Sequence, residues 1–118
     1  MNQARSFLPL TVPAGGTGLS GVVSAGPGDH LVGIIMPASW TTAAITFAAA
    51  SAADGTFYPV FDDAGNELSV TAVQGHAIIL AAPDKFRSLQ HFKIRSGTSA
   101  TPVDQSTAKV LTLVFARN

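Results

Sequence analysis

The chain has 118 residues, 47% of them hydrophobic, which is enough for one domain with a buried core and too few for two. It has no cysteine, which excludes disulfides, thiolate metal sites and cysteine nucleophiles. Seven basic residues balance seven acidic ones, so the chain lacks the basic footprint of sequence-independent nucleic-acid binding or of an anionic membrane surface, and neither partner is expected.

The first residues, MNQARSFLPLTVPAGG, contain an apolar stretch broken by Pro9 and Pro13, which does not read as a secretory signal. No later segment approaches the roughly 18 uninterrupted apolar residues of a membrane-spanning helix. Runs rich in Val, Ile, Thr and Phe then alternate with turn-forming clusters, the pattern of strands, and helix signals are nearly missing. Strands are predicted over 7–12, 18–24, 30–36, 43–49, 57–61, 68–72, 76–81, 91–96 and 109–116. Nine strands in a chain of this length spell a single antiparallel β-sandwich, taken as jelly-roll type. Residues 1–29 are rich in glycine and read as an extended N-terminal arm with the first strands, and 30–118 read as the sandwich core.

Turn signals separate the strands at Gly26-Pro27-Gly28, Ala53-Asp54-Gly55, Asp63-Ala64-Gly65-Asn66 and Ser96-Gly97-Thr98. Pro59 removes a ladder donor, which places the strand carrying Phe57, Tyr58, Val60 and Phe61 at a sheet edge, where a neighbour can pair with it. The alanines from Ala48 to Ala53 read as a strand end and loop rather than a helix. In the last strand Leu111, Leu113 and Phe115 alternate with Val110, Thr112 and Val114, so both faces are largely apolar. One face fills the sandwich. A solvated outer face normally carries polar residues at alternate positions, so the Val110, Thr112 and Val114 face is expected against another chain.

Candidate chemistry is sparse. Gly16-Thr17-Gly18-Leu19-Ser20-Gly21 has the spacing of a dinucleotide-binding loop, but Gly26-Pro27-Gly28 follows where that motif requires a helix. Ser20 does not sit in a nucleophile elbow. His30, His76 and His91 have no paired metal-ligand spacing, and Asp29 beside His30 would point to the opposite strand face. Asp54, Asp62, Asp63 and Glu67 form an oxygen-rich stretch that matches no EF-hand loop and reads as turns. Arg95 is expected either to pair with a loop aspartate at one end of the sandwich, the commoner arrangement, or to make an interface contact. Trp40 and Tyr58 are the aromatic candidates for stacking on a sugar ring or anchoring an interface. No catalytic constellation, cofactor or metal is assigned.

Charged residues make up only 12% of the chain, about half the usual ~25%. A small free domain keeps its surface charged to stay monomeric. Covering part of the exterior with copies of the chain or a larger assembly accounts for this composition, because charges there would have to be desolvated.

The runs LVGIIMPASWTTAAITF, SAADGTFYPVFDDAGNELSV and FKIRSGTSATPVDQSTAKVLTLV resemble small virion structural proteins of tailed bacteriophages and prophages over most of the chain from Leu31. The resemblance implies a non-enzymatic particle component: a capsid decoration protein or the base of a head spike or fibre. Its implied partners are other virion proteins and copies of itself. More distantly, Ile45-Thr46-Phe47, Ser51, Asp54-Gly55, Phe57 and Phe92-Lys93-Ile94 resemble the discoidin-type jelly roll. That likeness implies ligand-binding loops at one sandwich end, with Trp40, Asp54 and Tyr58, although this chain lacks the family's bridging cysteines. The alternative function is therefore a carbohydrate-binding module that engages a surface glycan through Trp40 and Tyr58. Predicted contact residues for the virion reading are Pro59, Val110, Thr112 and Val114, together with the N-terminal arm.

Overall fold

The β-branched and aromatic runs form nine strands in a computed structural model that describes residues 5–15, 18–26 and 28–117. In chain order they are β1 (Arg5–Val12), β2 (Val23–Ser24), β3 (Asp29–Ile35), β4 (Ile45–Ala50), β5 (Tyr58–Pro59), β6 (Ser69–Val70), β7 (Ala77–Ile79), β8 (His91–Ser96) and β9 (Lys109–Arg117). The only helical element among the described residues is a single 3₁₀ turn, Pro83–Phe86, opened by a proline that needs no donor there.

Two antiparallel sheets result. The first has strand order β1-β9-β3-β7 and the second β2-β8-β4-β5, with β6 also pairing with β4. The partners are remote in sequence: β1 lies against β9, β2 against β8 and β3 against β7. β5 and β6 lie end to end along β4, opposite Ala48–Ala49 and Ile45–Thr46 respectively. The residues between them fold out as a tongue closed by the Phe61 to Glu67 bridge. Its turn is held by Asp62, whose Oδ1 accepts the backbone N–H groups of Ala64 at 3.0 Å and Asn66 at 2.9 Å.

Alternation decides what is buried. Leu111, Leu113 and Phe115 of β9 point inward with Val12, Leu31 and Ile34 from the neighbouring strands. Ile45, Phe47, Phe92 and Ile94 oppose them from the second sheet. Phe47 packs edge-on against Phe86 with ring centres 5.2 Å apart and against Phe92 at 6.2 Å, and Phe92 meets Phe115 across the sandwich at 6.4 Å. These contacts add about 0.5–1.5 kcal/mol per pair beyond burial.

Over its described residues the expected N-terminal arm is docked rather than free. β1 pairs residue for residue with β9 from Arg5↔Ala116 to Val12↔Lys109. Leu19 bridges Arg95 and β2 pairs with β8, so the strand expected at 18–24 is an interrupted edge of the second sheet. β1 tolerates Pro9 in mid-strand because only its other edge needs a partner. The same rule places Pro59 in β5 at the edge of the second sheet, as predicted.

A device the sequence analysis did not single out closes one end. Gln105 is fully buried, its Nε2 donating to Thr41 O at 3.0 Å and Ser96 Oγ at 2.8 Å, and its Oε1 accepting the Thr41 N–H at 2.8 Å. It ties the loop after β8 to the loop before β4. Gly97 starts that loop with φ +90°, and a Cβ there would lie 2.5 Å from Val103 N and 2.6 Å from Thr101 O. Replacing Gln105 with Leu leaves the buried Ser96 hydroxyl and the Thr41 backbone groups without this partner and should cost about 1–3 kcal/mol in chemical denaturation. Gly97→Ala should cost at least as much, and wild-type stability of both variants would contradict this account of the loop.

Candidate functional site

The outer faces of the two sheets differ in chemistry, and the difference follows from register. On the first sheet the alternation that buries Leu111, Leu113 and Phe115 turns Val110, Thr112 and Val114 outward. Opposite them on β1 stand Thr11, Pro9 and Phe7. On the other side Gly33 and Ile35 of β3 face Val114 and Thr112, after a bulge between Leu31 and Gly33 that restores the inward position of Ile34. Ile79 and Ala77 of β7 continue the same two rows. One row therefore runs Phe7, Val114, Gly33, Ile79 across all four strands, and the next runs Pro9, Thr112, Ile35, Ala77.

None of these residues is ionisable. Phe7 is 62% exposed, Val110 52% and Ile79 88%, while Thr112 and Val114 are half-buried. Arg5 borders the patch one row further on, opposite Ala116.

The outer face of the second sheet is ordinary by comparison. The register Thr46↔Arg95, Ala48↔Lys93 and Ala50↔His91 puts three ionisable residues of β8 on one side, opposite the face that buries Phe92 and Ile94. Arg95 Nη1 lies 3.5 Å from Glu67 Oε2 and donates to Thr46 Oγ1 at 3.3 Å, which holds the tongue over the sheet. Its partner is thus Glu67 and not a loop aspartate. Lys93 Nζ stands 4.7 Å above the ring of Phe57, and the His91 ring shares a 2.9 Å hydrogen bond with Ser24 Oγ.

The three residues proposed for a ligand site at one sandwich end do not come together. Trp40 lies in the loop before β4, whereas Asp54 and Tyr58 follow its other end, and the six residues of β4 separate the two loops by about 20 Å. Trp40 is also a core residue, only 6% exposed, with Nε1 donating to Ala43 O at 3.1 Å. It presents no free ring for stacking, which corrects its assignment as a platform. Tyr58 remains 67% exposed at the β5 edge, near the exposed Phe61 of the tongue.

The remaining motifs have structural roles. Gly16 and Thr17 of the glycine motif lie outside the described residues, and Gly18 is packed so closely that a Cβ would sit 2.9 Å from Val103 O. Ser20 Oγ accepts the Ile94 N–H at 3.0 Å and donates to Gly21 O at 2.9 Å. Asp29 pairs with Arg117 at 3.0 Å rather than with His30. The hydrogen bond from Arg117, reinforced by its charge, holds the Asp29 carboxyl below its usual range. His30 is buried, and its Nδ1 has no hydrogen-bond partner among the described residues. Among those residues no three His, Asp or Glu side chains converge to hold a metal ion, and no helix is long and apolar enough to cross a membrane.

A groove of about 340 Å³ opens between β6 and β7, lined by Leu68, Val70, Ile78, Leu80, Lys85 and Phe86. Ser69 and Thr71 add hydroxyls, but no carboxylate or imidazole lines it. No protein-family model matches the chain, and no curated protein or solved structure is significantly similar to it.

Two outcomes test these placements. Trp40→Ala should lower stability by about 3–5 kcal/mol as a core truncation, and retained stability would contradict its burial. The Asp29 carboxyl should titrate below its ordinary value in an NMR pH series and return toward it in Arg117→Ala. Because the folded value is depressed, the stability from this pair is complete above the unfolded value and fades as pH falls through the folded one. Unchanged titration in the variant would contradict the pairing.

Proposed function

We propose that the chain is a non-enzymatic structural subunit of a tailed-bacteriophage particle, a capsid decoration protein or the base of a head spike or fibre, assembled in the host cytoplasm and carried on the virion. The observation that supports this best is the pair of uncharged rows that crosses β1, β9, β3 and β7 on the outer face, next to the row of Arg5, Ala116 and His30. A monomer in water gains nothing from leaving Phe7, Ile79 and Val110 uncovered. A subunit repeated on a particle gains by burying them, since weak interfaces multiplied by symmetry add up to firm attachment. Low charge content and zero net charge are consistent with that use.

Strand order supports the jelly-roll assignment. β1–β9, β2–β8, β3–β7 and β4–β5/β6 nest like one long hairpin rolled up, with successive pairs falling in alternate sheets. This architecture serves both viral capsid and lectin domains, so the fold by itself does not choose between them. The surface does. A glycan-binding reading relied on Trp40 as a platform, and Trp40 belongs to the core. Pro59 at the β5 edge and the outward residues of β9 are the contacts assigned to neighbouring virion proteins.

Density-gradient fractionation of a lysate from the source, followed by mass spectrometry, should place the protein with DNA-filled particles. Thr112→Lys should fold normally and incorporate poorly. Recovery in soluble fractions alone, or normal incorporation of the variant, would count against the proposal.

A further inference from the structure

We infer that the groove between β6 and β7 receives an extended strand of another protein, added to the free edge of β7 with its apolar side chains in the groove and an acidic one beside Lys85. The inference concerns the purified chain and does not depend on the virion reading. Three observations carry it. The first is the direction of the β7 backbone. Met36 N–H donates to His76 O at 2.8 Å and Leu80 N–H donates to Val32 O at 3.0 Å, with Ile34 opposite Ile78 between them. Backbone groups alternate in direction along an antiparallel ladder, so those of His76, Ile78 and Leu80 point to β3 and those of Ala77 and Ile79 point away from it. Ile78 O accordingly faces Gly33, 3.0 Å from where a Cβ there would sit. The first sheet ends at β7, and both Ala77 and Ile79 are exposed. Their N–H and C=O groups therefore stand at the spacing that a further strand pairs with. Pro9 in β1 and Pro59 in β5 interrupt two other edges by removing a donor, whereas Ala77–Ile79 contains no proline.

The second observation is that the core is open beside this edge. Val70, Leu80 and Phe86 belong to the core, yet all three line the 340 Å³ groove. Ile78 and Leu80 wall it from β7, and Leu68 and Val70 wall it from the β6 side. Successive residues of a strand point to opposite faces, so every second side chain of a strand added beside β7 enters the groove and continues the core. The volume lies within the ~300–1,000 Å³ of ligand-binding clefts.

The third is charge. Lys85 is the one ionisable residue among the described residues that line the groove. Its neighbours Asp84 and Arg87 pair with each other, and Lys85 itself makes no ion pair or side-chain hydrogen bond among the described residues. It also borders a smaller cleft that contains Asp62 and Asp63, and it pairs with neither. An acidic side chain on the incoming strand supplies the missing counter-charge at the rim of the groove.

Selection from a displayed library of random octapeptides should return sequences with apolar residues at alternate positions and an acidic residue. Hydrogen exchange followed by NMR reads the pairing itself. The Ala77 and Ile79 amides, open in the free chain, should become protected when a synthetic copy of a selected peptide binds. Ile79→Pro removes an outward N–H and leaves the β3 ladder intact, so it should fold normally and bind the peptide about tenfold more weakly. Lys85→Glu should weaken binding by about threefold, the size of an exposed ion pair, and should favour a peptide with lysine in place of the acid. The inference is overturned if the selection returns no binder, or binders without alternation. It is equally overturned by a bound peptide that leaves the Ala77 and Ile79 amides exchanging as in the free chain, which would mark a plain apolar cleft, or by full affinity in Ile79→Pro. An unchanged preference in Lys85→Glu would overturn the acidic contact.

Discussion

β9 carries apolar side chains on both faces, and much of the molecule follows from that. Its inward residues Leu111, Leu113 and Phe115 are in the core, so the strand must lie centrally in a sheet with β1 and β3 on either side. A central strand that is also apolar on its outward side then spreads that character across the sheet, because β1, β3 and β7 align Phe7, Ile35, Ile79 and Gly33 with it. Had Val110, Thr112 and Val114 been charged, the same fold would form with an ordinary solvated exterior. Folding does not require the outer face to be apolar.

The distribution of charge supports the same division. Three ion pairs lie away from this face: Arg95 with Glu67 beneath the tongue, Asp29 with Arg117 at the joined ends of β3 and β9, and Arg87 with Asp84 beside the 3₁₀ turn. Each ties a loop or strand end, and the exposed ones contribute little to stability individually. Cohesion instead rests on the interleaved Phe47, Phe86, Phe92 and Phe115 rings and on long-range strand pairing, in which the first strand meets the last. Such non-local pairing makes folding slow relative to helical domains of this size, because long loops must close before contacts stabilise them.

Strand positions were legible because β-branched alternation and glycine-rich turns mark them locally. His91–Ser96 is a strand of the predicted extent, and each of the other runs overlaps one. Pro59 announced an edge because a missing N–H has a single structural consequence. What depended on distant partners was not legible. The N-terminal residues read as a glycine-rich arm, since nothing local reveals that Arg5–Val12 matches β9 along its whole length. Arg95 chose Glu67 over an aspartate because the tongue folds Glu67 back over β8. Gln105 gave no signal, as a lone glutamine in a polar loop looks solvent-exposed until the fold seats it between Thr41 and Ser96. Of the surface, the two-faced apolar pattern of β9 was visible in sequence; the contributions of Phe7, Ile35 and Ile79 needed the sheet order to appear.

Hydroxyl-radical footprinting of the free chain and of DNA-filled particles from the source tests most directly the proposal that the outer face of the first sheet is a contact surface. Phe7 and Ile79 should be oxidised freely in the free chain, as their exposures of 62% and 88% require, and become protected on the particle. If Phe7 and Ile79 are oxidised as readily on the particle as in the free chain, the assignment of the outer face of the first sheet is wrong.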